Sequence, residues 1–532
     1  MVLSRPNIDT LRATLETDLG LFLPELAVCG GIVALLLCRL CKPLDRTHLG
    51  GVALAALGVA LAVTAARLGD APGSPRDAAY FGRMLAADAY ANFARTLLPA
   101  AALLTVLLTR LTRIPDRTDS GDFYVLLLGG TLGMMLMAGA NHLLMAFIAV
   151  EMASLPSYAL AGFLKGTRRG SEAALKYVVF GAGASGVMLY GISLLAGSIG
   201  TGYLPDVAAA VAARLDAHAG FDPFTLAGLV LVFVGLGFKL AAVPFHFWCP
   251  DVFEGAAAEV GGFLSVASKA AAIALTTRLL LTLQGAAAGA TPWLLPEALG
   301  VGVGVVGAIT VTFGNLAAFG QTNLKRLLAY STIAHAGTML LGVAVLTGGS
   351  AAAVLYYLVA YLAMNLGAFA VVALVRNATG SEDLSAFRGL VWRSPVLAVA
   401  MAVFLFSLLG FPPLAGFAGK FQVFAAVYEA GRAATASGPA WLGTAYFVLL
   451  AVGAVNTALS AYYYLRVVRT MLFDEPDDTP FAPVRAGATV YLAALAAVVV
   501  ALGVVWNPLT AAADRAVAGF GLPAHVSGGG PR

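Results

Sequence analysis

The sequence predicts an all-helical, polytopic membrane protein with about fourteen transmembrane helices. Of its 532 residues, 60% are hydrophobic and 11% are charged, and the mean hydropathy is +0.87. Soluble domains contain about 25% charged residues. The net charge is only +4, and no basic tract occurs. These observations exclude a soluble enzyme, a disordered chain and a nucleic-acid-binding protein.

Each predicted span is an apolar stretch of roughly 18 or more residues, enough to cross the hydrocarbon core as a helix. Residues 1–18 are too polar to span a bilayer. The first apolar stretch has no small-residue cleavage site, so we expect a retained helix rather than a signal peptide. The predicted spans are 19–38, 49–67, 88–109, 122–139, 142–163, 173–199, 223–252, 258–284, 296–318, 324–347, 350–375, 394–430, 442–465 and 486–506.

Two of these spans are too long to be simple helices. Residues 394–430 would form about 55 Å of helix, whereas the hydrocarbon core is about 30 Å thick. Pro244 lies in the span 223–252, and Pro412 and Pro413 lie in the span 394–430. Proline removes a backbone donor and clashes with the preceding turn, so we expect broken helices near 239–250 and 410–420. Such backbone at membrane depth must be buried in protein or line a wet cavity.

The broken spans indicate an internal repeat. The pairs Lys176-Tyr177 and Tyr356-Tyr357 are 180 positions apart, and Lys239 and Lys420 are 181 apart. Each offset contains five predicted helices, an odd number, so the second copy is expected to be inverted in the membrane. Interrupted segments in both halves of an inverted repeat point to a transport site. We therefore divide the chain into N-terminal helices (1–121), a first repeat (122–285), a second repeat (286–475) and a last span with a tail (476–532).

The distribution of Lys and Arg predicts the orientation. More of them lie in the loops that are cytoplasmic when both termini are outside than in the loops on the other face. Cytoplasmic loops carry an excess of these residues, so both termini are expected outside. The length and the Ala/Gly-rich composition favour a bacterial origin, and hence the bacterial cell (inner) membrane, with a plastid-type relative left open.

Five basic residues lie within predicted spans: Lys176, Lys239, Lys269, Arg278 and Lys420. An ionisable side chain near the bilayer centre costs at least about 2.5–3.5 kcal/mol. The alternative for a membrane lysine is that its ammonium reaches the interface, and we expect this of Arg278. Burial disfavours the charged form of lysine, so the deep lysines are candidate stepping stones in a proton path.

Three further residues complete the candidate path. Glu151 is the only carboxylate that the sequence places deep in a span. It either forms a structural hydrogen bond or modulates a buried lysine, for which Lys239 is the first candidate. Lys176 stands four residues after Glu172, so an ordinary i,i+4 surface pair explains it equally well. His335 is either a proton relay between the halves or a structural histidine.

Several other motifs carry no chemistry. Residues 181–186 and 302–307 match GxGxxG, but neither follows a strand in a βαβ unit. Small residues on membrane helices permit close packing instead. The CxxC of Cys38 and Cys41 has no second pair. The sequence contains no Walker A motif, no HExxH and no clustered cysteines, so we expect no metal and no redox cofactor in this chain.

Six stretches carry a more specific pattern: EMASLPSY (151–158), GFKLAAVPFHFW (237–248), PDVFEG (250–255), FLSVASKA (263–270), QTNLKRLLAYS (321–331) and LGFPPLAGFAGK (409–420). In combination, they resemble the antiporter-like membrane subunits of respiratory complex I, the NADH–quinone oxidoreductase. The resemblance runs from about residue 20 to 475. It is strongest for the N type, because the M type has Glu where Lys420 stands and the L type has a long C-terminal lateral helix.

The resemblance implies proton translocation coupled to quinone reduction, with a half-channel in each inverted repeat. It makes Glu151 and Lys239 the modulating pair, Lys269 the central relay and Lys420 the exit residue of the second half. It implies no redox centre in this chain, since NADH, FMN, iron–sulfur clusters and quinone belong to partner subunits. The implied partners are neighbouring antiporter-like and small membrane subunits and the lipid bilayer, without nucleic acid.

One stretch departs from the family pattern. N-type subunits usually read Gly-Ala-Pro-Thr-Pro-Val where this chain has Gly255-Ala-Ala-Ala-Glu259-Val260. The loss of both prolines and the gain of Glu259 affect the helix entry near Lys269 and its charge balance. Two other functions stay open: a subunit of a multisubunit cation/proton antiporter and an assembly scaffold. The resemblance around Lys420 argues against the antiporter, and the insertion cost of four deep ionisable residues argues against the scaffold.

Overall fold

The chain is almost entirely helical in the computed structural model, which describes residues 8–41, 47–68, 79–115, 119–164, 166–218, 222–287, 293, 295–476, 481, 483–520 and 522. The helices are α1 (Ile8–Leu21), α2 (Leu23–Leu40), α3 (Gly50–Ala66), α4 (Ala89–Thr112), α5 (Ser120–Gly139), α6 (Leu143–Ala161), α7 (Arg168–Ile199), α8 (Leu204–His218), α9 (Pro223–Leu240), α10 (Trp248–Gly255), α11 (Ala258–Ala287), α12 (Val301–Ala318), α13 (Leu324–Val343), α14 (Gly348–Thr379), α15 (Pro395–Leu409), α16 (Ala415–Ser437), α17 (Ala440–Phe473), α18 (Ala486–Val504) and α19 (Asn507–Val517).

A few short elements connect these helices. One antiparallel hairpin, β1 (Ala79–Tyr80) with β2 (Leu85–Ala86), precedes α4. Single turns lie at Leu384–Phe387, Leu390–Arg393 and Ala518–Phe520, and a π-helical turn at Pro296–Gly300 leads into α12. A second π-helical turn, Leu264–Ser268, interrupts the regular α-helix of α11 immediately before Lys269. The prediction of an all-helical membrane protein is therefore confirmed, with the hairpin as a small exception.

Eleven helices in the described part of the chain are long and apolar enough to cross a membrane. They are α2, α4, α5, α6, α7, α9, α11, α12, α14, α17 and α18. The shorter helices α3 and α15 are also apolar, whereas α13 and α16 are not among the eleven. The chain is thus a multi-pass membrane protein, and the count of fourteen spans stays a prediction.

Both long predicted spans are interrupted. The first consists of α9 and α10, separated by residues 241–247, which include Pro244. The second consists of α15 and α16, separated by residues 410–414, which include Pro412 and Pro413. The peptide bonds Val243-Pro244 and Pro412-Pro413 are cis. The two interruptions follow the apolar helices α9 and α15, and Lys239 and Lys420 lie close to them in sequence.

The two most enclosed helices are α11 and α14, which are 94% and 89% buried over their most apolar windows. α11 packs against α14, against α8 and against the N-terminal helix α4. α7 packs against both halves of the first broken span, and α14 packs against both halves of the second. α11 and α14 therefore lie between the two broken spans and can connect them.

The positions of the helices only partly follow the predicted repeat offset. α7 and α14 both contain 32 residues, and their first residues, Arg168 and Gly348, are 180 positions apart. Pro244 and Pro412, however, are 168 positions apart. The difference arises because α8 lies between α7 and α9, whereas only two single turns lie between α14 and α15. Lys239 therefore precedes its interruption and Lys420 follows its own, so the 181-residue offset does not place them at equivalent positions.

Glycines mark the closest helix contacts. A Cβ at Gly133 would overlap the backbone of α6, and one at Gly337 would overlap the backbone of α12. Within the first GxGxxG stretch, a Cβ at Gly181 would overlap a tyrosine ring, whereas Gly183 and Gly186 have no heavy atom within 4 Å of that position. Close backbone approach at small residues is typical of membrane helix pairs.

Candidate functional site

The first interruption leaves helix carbonyls that need partners. α9 ends at Leu240, and the next residue, Ala241, has a left-handed φ of 55°. The last carbonyls of a helix have no partner within the helix. Here the Leu240 carbonyl accepts a hydrogen bond from Lys269 Nζ at 2.9 Å, and the Phe238 carbonyl accepts one from Trp248 Nε1 at 3.0 Å. Because a helix C-terminus carries partial negative charge, the Lys269 ammonium fits this position.

Lys239 lies one residue before the end of α9 and is 1% exposed. Its ammonium nitrogen has no hydrogen-bond partner among the described residues. Glu151 on α6 is near enough to interact with it electrostatically, but the Glu151 carboxylate accepts its hydrogen bond from the Ser185 hydroxyl instead. The expected modulating pair is therefore separated rather than a direct hydrogen-bonded ion pair, and its role stays a prediction.

An aromatic cluster connects this region to Lys269. The Tyr177 and Trp248 rings are stacked, with centroids 4.3 Å apart and an interplanar angle of 8°. The Tyr158 ring packs edge-on against Tyr177 at 4.7 Å. Lys269 Nζ lies 5.8 Å from the centre of the Trp248 ring. Trp248 is the first residue of α10, which follows the interruption. The lysine, which is 3% exposed, is thus held by a carbonyl and an aromatic face together.

Lys176 lies apart from the buried lysines. Its side chain is 37% exposed, and its ammonium forms ion pairs with Glu172 at 2.7 Å and Asp251 at 2.6 Å. Arg326 contacts the same Asp251 at 2.6 Å and Glu254 at 2.9 Å. The i,i+4 alternative considered for Lys176 is therefore present. Its second partner, Asp251, is supplied by α10, and the sequence spacing gave no sign of it.

The second interruption uses its own lysine. α15 ends at Leu409, and Gly410 follows with a left-handed φ of 91°. Lys420 Nζ donates to the carbonyls of Leu408 and Leu409, both at 3.0 Å. The Ser407 hydroxyl accepts a hydrogen bond from a backbone N–H in the first turn of α16 at 3.0 Å. Lys420, which is 6% exposed, therefore joins the two halves of the broken span.

His335 is buried in α13 and is bound on both ring nitrogens. Nδ1 is 2.6 Å from the Tyr357 hydroxyl, and Nε2 is 3.1 Å from the Tyr464 hydroxyl. Tyr464 in turn lies 2.5 Å from the Ser331 hydroxyl. The Tyr361 ring packs against the imidazole at 5.1 Å between centroids. Both partners are hydroxyls, which can donate or accept a hydrogen bond, so the imidazole can accept a proton at one nitrogen and release one at the other.

His335 and Lys420 line the same small cavity, of about 10 Å³. This volume is near the about 10–15 Å³ that one water molecule requires. The other polar residues that line it are Asn315, Thr338, Asn456, Thr457, Ser460 and Tyr463. The structure thus brings together two predicted proton-carrying residues from α13 and α16 around a polar space large enough for a bridging water.

Polar groups also lie between the two halves. On α11, the Ser265 hydroxyl donates to the Gly262 carbonyl at 2.7 Å, and the Asn365 amide of α14 donates to Ser265 at 2.6 Å. The π-helical turn that contains Ser265 ends directly before Lys269. Irregular π-helical turns are frequent at functional sites in membrane helices and elsewhere. Tyr361, four residues before Asn365 on α14, then leads to His335.

Glu151 is not the most buried carboxylate within the predicted spans. Glu151 is half-buried, whereas Glu25 and Glu259 are completely buried. Glu25 forms an ion pair with Arg95 at 2.8 Å, and Arg95 also donates to the Tyr80 hydroxyl at 2.6 Å. Both Glu25 and Arg95 lie inside predicted spans, so their charges were a signal that could have identified the pair.

The side chain of Arg278 is buried within the protein, and its approach to the outer interface stays a prediction. Arg278 is 3% exposed and binds both oxygens of Asp88, at 2.6 and 2.7 Å. Its Nε donates to the Ala138 carbonyl at 3.1 Å. Burial acts to raise the pKa of Asp88, but the Arg278 guanidinium outweighs burial and lowers this pKa below its ordinary value. Asp88 directly precedes α4, and an Asp before an apolar run is a helix-start signal.

The described residues contain no group of three or more His, Cys, Asp or Glu side chains placed to hold a metal ion. The four cysteines are not joined in disulfides. The candidate site therefore consists of two lysine-bound helix interruptions, a tyrosine-bound histidine and a polar cavity. Such a set of groups can hold and move protons.

Comparison with known proteins gives a consistent result. The family described as NADH:quinone oxidoreductase/Mrp antiporter, TM, matches residues 140–438, which contain all six predicted proton-translocation residues. Subunit N of NADH-quinone oxidoreductase from Anaeromyxobacter sp. (strain Fw109-5) is 44% identical over 500 residues, covering 92% of this chain and 94% of its own length.

Two solved structures are similar over almost the whole chain. A chain of respiratory complex I from Thermus thermophilus with bound aureothin has a TM-score of 0.71 at 33% identity, over 92% of this chain and 98% of that chain. A chain of the Mrp complex from Dietzia sp. DQ12-45-1b has a TM-score of 0.79 at 21% identity, over 95% and 98%. The second likeness concerns the fold alone. The chain therefore belongs to the family of antiporter-like membrane subunits that includes subunit N of NADH–quinone oxidoreductase.

Proposed function

We propose that this chain is a proton-translocating membrane subunit of NADH–quinone oxidoreductase. The observation that carries the proposal is the pair of interrupted spans, each with a buried lysine ammonium on the free carbonyls of the helix end. A positive group at a broken helix within the membrane is costly, and such groups mark ion pathways. Identity of 44% with a subunit N over almost the full length supports the same function.

The proposed path follows the contacts described above. Lys239 and Glu151 modulate each other across the first interruption, and Lys269 is the central relay beneath Trp248. His335 passes protons between the halves, and Lys420, which lines the same small cavity, is the exit residue. Moving one charge through 100 mV requires about 2.3 kcal/mol. Coupling free energies between sites in proteins are about 1–3 kcal/mol, so charge coupling along this path is of the required size.

We propose the same repeat organisation for the whole chain as the sequence predicts. N-terminal helices occupy residues 1–121, a first repeat 122–285 and a second, inverted repeat 286–475, followed by a last span and tail at 476–532. Fourteen membrane crossings accommodate this division. The equal lengths of α7 and α14 support this division. Because the interruptions follow α7 and α14 at different distances, the sequence offset matches these two helices and not the interruptions.

We propose that the chain lies in the bacterial inner membrane with both termini outside. The termini themselves, residues 1–7 and 523–532, lie outside the described residues. The orientation places the ends of α4 and α14 and the start of α13 on the cytoplasmic face. Arg110, Lys325 and Arg376 lie there, in agreement with the positive-inside rule.

The proposed function requires partners. NADH, FMN, iron–sulfur clusters and quinone would be held by other subunits, and this chain would contact neighbouring antiporter-like and small membrane subunits and the surrounding lipid. Its own residues would respond to redox chemistry that takes place elsewhere, through changes in charge at the subunit contacts. The lysines and His335 would then hold or release protons in sequence.

A native gel tests complex membership. Membranes that carry the chain with a tag after Arg532 are gently solubilised, separated and stained for NADH dehydrogenase activity. We expect the tag and the activity in one large band. A tag that migrates apart from all NADH dehydrogenase activity would contradict complex membership.

The second candidate function is a cation/proton antiporter subunit. It is favoured by the likeness in fold to a chain of the Mrp complex. Cation exchange in vesicles that contain this chain but no NADH dehydrogenase would support it. An assembly scaffold would be supported instead if neutralising Glu151, Lys239, Lys269 and Lys420 together left proton pumping unchanged.

A further inference from the structure

Glu259 is a buried acid that the proposed path does not use. It lies in the first turn of α11, at the place where this chain departs from the family pattern, and it is 0% exposed. Neither carboxylate oxygen has a well-formed hydrogen bond among the described residues. The Thr112 hydroxyl lies near the carboxylate but donates to the Leu108 carbonyl at 3.2 Å. A buried carboxylate without partners is costly, so its presence calls for a physical reason.

The charges around Glu259 allow it to exist with or without a proton. Arg376 of α14 and Lys325 of α13 interact with it electrostatically. Both basic residues also form ion pairs with Glu382, at 3.4 and 2.8 Å. When Glu259 is protonated, the positive charges of Arg376 and Lys325 are balanced only in part by the Glu382 carboxylate. When Glu259 is ionised, the four residues together are neutral.

The remaining charged groups near this helix entry are engaged elsewhere. On α10, Asp251 and Glu254 both bind Arg326. Thr112, at the end of α4, is the polar residue that faces Glu259 from the N-terminal helices. No other titratable group on α4 or α6 is among the groups that act on Glu259. Arg376 and Lys325 are thus the positive groups that act on Glu259.

Two polar cavities adjoin this cluster. One of about 350 Å³ is lined by Ala256, Lys325, Arg376 and Glu382. The other, of about 880 Å³, is lined by Thr112 and Arg376 among others. Arg376 lines both cavities, so the group of Arg376, Lys325 and Glu382 lies at their common wall, and the buried Glu259, which lines neither cavity, lies behind it. Both volumes are large enough for many water molecules. The lining of the smaller cavity also includes Arg169, Glu254 and Asp383, so its charges are balanced. The larger cavity is lined by Arg110, Arg113 and Arg376, which repel hydronium, so the smaller cavity is the better proton source.

The same helix leads from Glu259 to Lys269. Ten residues separate them, which is about 15 Å along a helix. Between them lie the Ser265 hydroxyl, which is hydrogen-bonded to Asn365, and the Ser268 hydroxyl. The Ser268 hydroxyl and the Asn365 carbonyl oxygen have no hydrogen-bond partner among the described residues. These groups offer hydrogen-bonding positions along the π-helical turn that ends at Lys269.

We propose that Glu259 is a proton-uptake residue for Lys269. A hydronium ion in the smaller cavity gives a proton to the Glu259 carboxylate and becomes water. The carboxylic acid then releases this proton along hydrogen-bonded water and the Ser265 hydroxyl to the neutral amine of Lys269, which becomes an ammonium. This inference rests on the proposed function, because it assigns the proton entry for the same path.

The test compares Glu259→Gln, which keeps the shape of the side chain but cannot carry a proton, with Glu259→Asp. NADH-driven proton pumping is measured in membranes from pH 6 to pH 9. We expect Glu259→Gln to lower pumping about tenfold at the alkaline end and less at the acidic end, because uptake limits the rate when protons are scarce. Glu259→Asp should restore most of the activity. Glu16→Gln removes an exposed surface carboxylate and serves as the matched control.

Lys239→Ala, measured in parallel, separates the two proposals. Loss of pumping in Lys239→Ala together with unchanged pumping and an unchanged pH profile in Glu259→Gln would overturn the uptake role and leave the proposed function intact. Full pumping in Lys239→Ala would overturn the proposed function itself. An equal loss in Glu259→Gln at every pH, without rescue by Glu259→Asp, would show a structural role and overturn the inference.

A chemical measurement on the unchanged complex covers the case in which Glu259→Gln fails to assemble. A hydrophobic carbodiimide adds across the O–H of a protonated, buried carboxylic acid to give an N-acylurea, without a leaving group. We expect mass spectrometry to find this adduct at Glu259, with a yield that falls as the pH rises. Absence of the adduct at Glu259 across the pH range would overturn the inference.

Discussion

Replacing Lys420 by Met tests whether the ammonium holds the second interruption together. Lys420 Nζ donates to the last two carbonyls of α15, those of Leu408 and Leu409, each at 3.0 Å. Methionine has a similar length and fills the same apolar space, but it cannot donate a hydrogen bond. The substitution therefore removes the two hydrogen bonds and the charge while keeping most of the packing.

The size of the effect follows from the carbonyls that are left behind. A buried acceptor that loses its partner costs about 1–3 kcal/mol. Two such carbonyls together cost about 2–6 kcal/mol, so local opening of the interruption should become at least about thirty times more frequent, since about 1.4 kcal/mol corresponds to a factor of ten. The effect should be confined to the end of α15 and the start of α16, because the rest of both helices keeps its hydrogen bonds.

Hydrogen exchange of the purified complex, followed by mass spectrometry, measures this opening. We expect peptides that cover residues 405–420 to lose protection in Lys420→Met. Lys176→Met is the control. That ammonium is partly exposed and pairs with Asp251 of α10, in the other broken span, so its replacement should leave the same peptides unchanged. Equal protection of residues 405–420 in Lys420→Met and the unaltered protein would refute the assignment of a carbonyl-binding role.

Two further predictions concern the helix packing that positions the site. Asp88→Ala leaves the buried Arg278 without its carboxylate, so we expect a loss of stability of about 3–5 kcal/mol and less assembled complex on a native gel, and normal assembly would contradict this account. Because the pKa of Asp88 is lowered, the stability that the ion pair contributes should be complete above the ordinary pKa of Asp and lost as the pH falls through the lowered pKa. Gly133→Leu forces a side chain into the backbone of α6 and should prevent stable assembly, whereas Gly183→Leu, which meets open space, should assemble normally; equal amounts of both variants in the complex would contradict the close packing of α5 and α6.

The sequence predicts the local features of the site well. Pro244, Pro412 and Pro413 remove backbone donors, and the helices are interrupted at the segments that contain them. Lys239 and Lys269 are buried because their neighbours along the chain are almost all apolar. Such properties depend on a few adjacent residues, and for this reason they can be read without a structure.

The partners of those residues could not be predicted in the same way. The bond from Lys269 to the Leu240 carbonyl depends on how α11 packs against the end of α9. The bidentate pair of Arg278 and Asp88 joins residues 190 positions apart, and neither residue's own neighbours in sequence reveal the other. The 181-residue offset does not join equivalent positions, because Lys239 precedes its interruption and Lys420 follows its own.

The most direct test of the account is NADH-driven proton pumping by a Lys239→Ala complex in inside-out membrane vesicles. The amount of assembled complex is matched on native gels, and Arg12→Ala, which changes an exposed surface residue, is the control. The account predicts that Lys239→Ala assembles but that its pumping is abolished or sharply lowered, while Arg12→Ala pumps normally. Full pumping by assembled Lys239→Ala would contradict the claim that protons pass through the buried lysines of this chain.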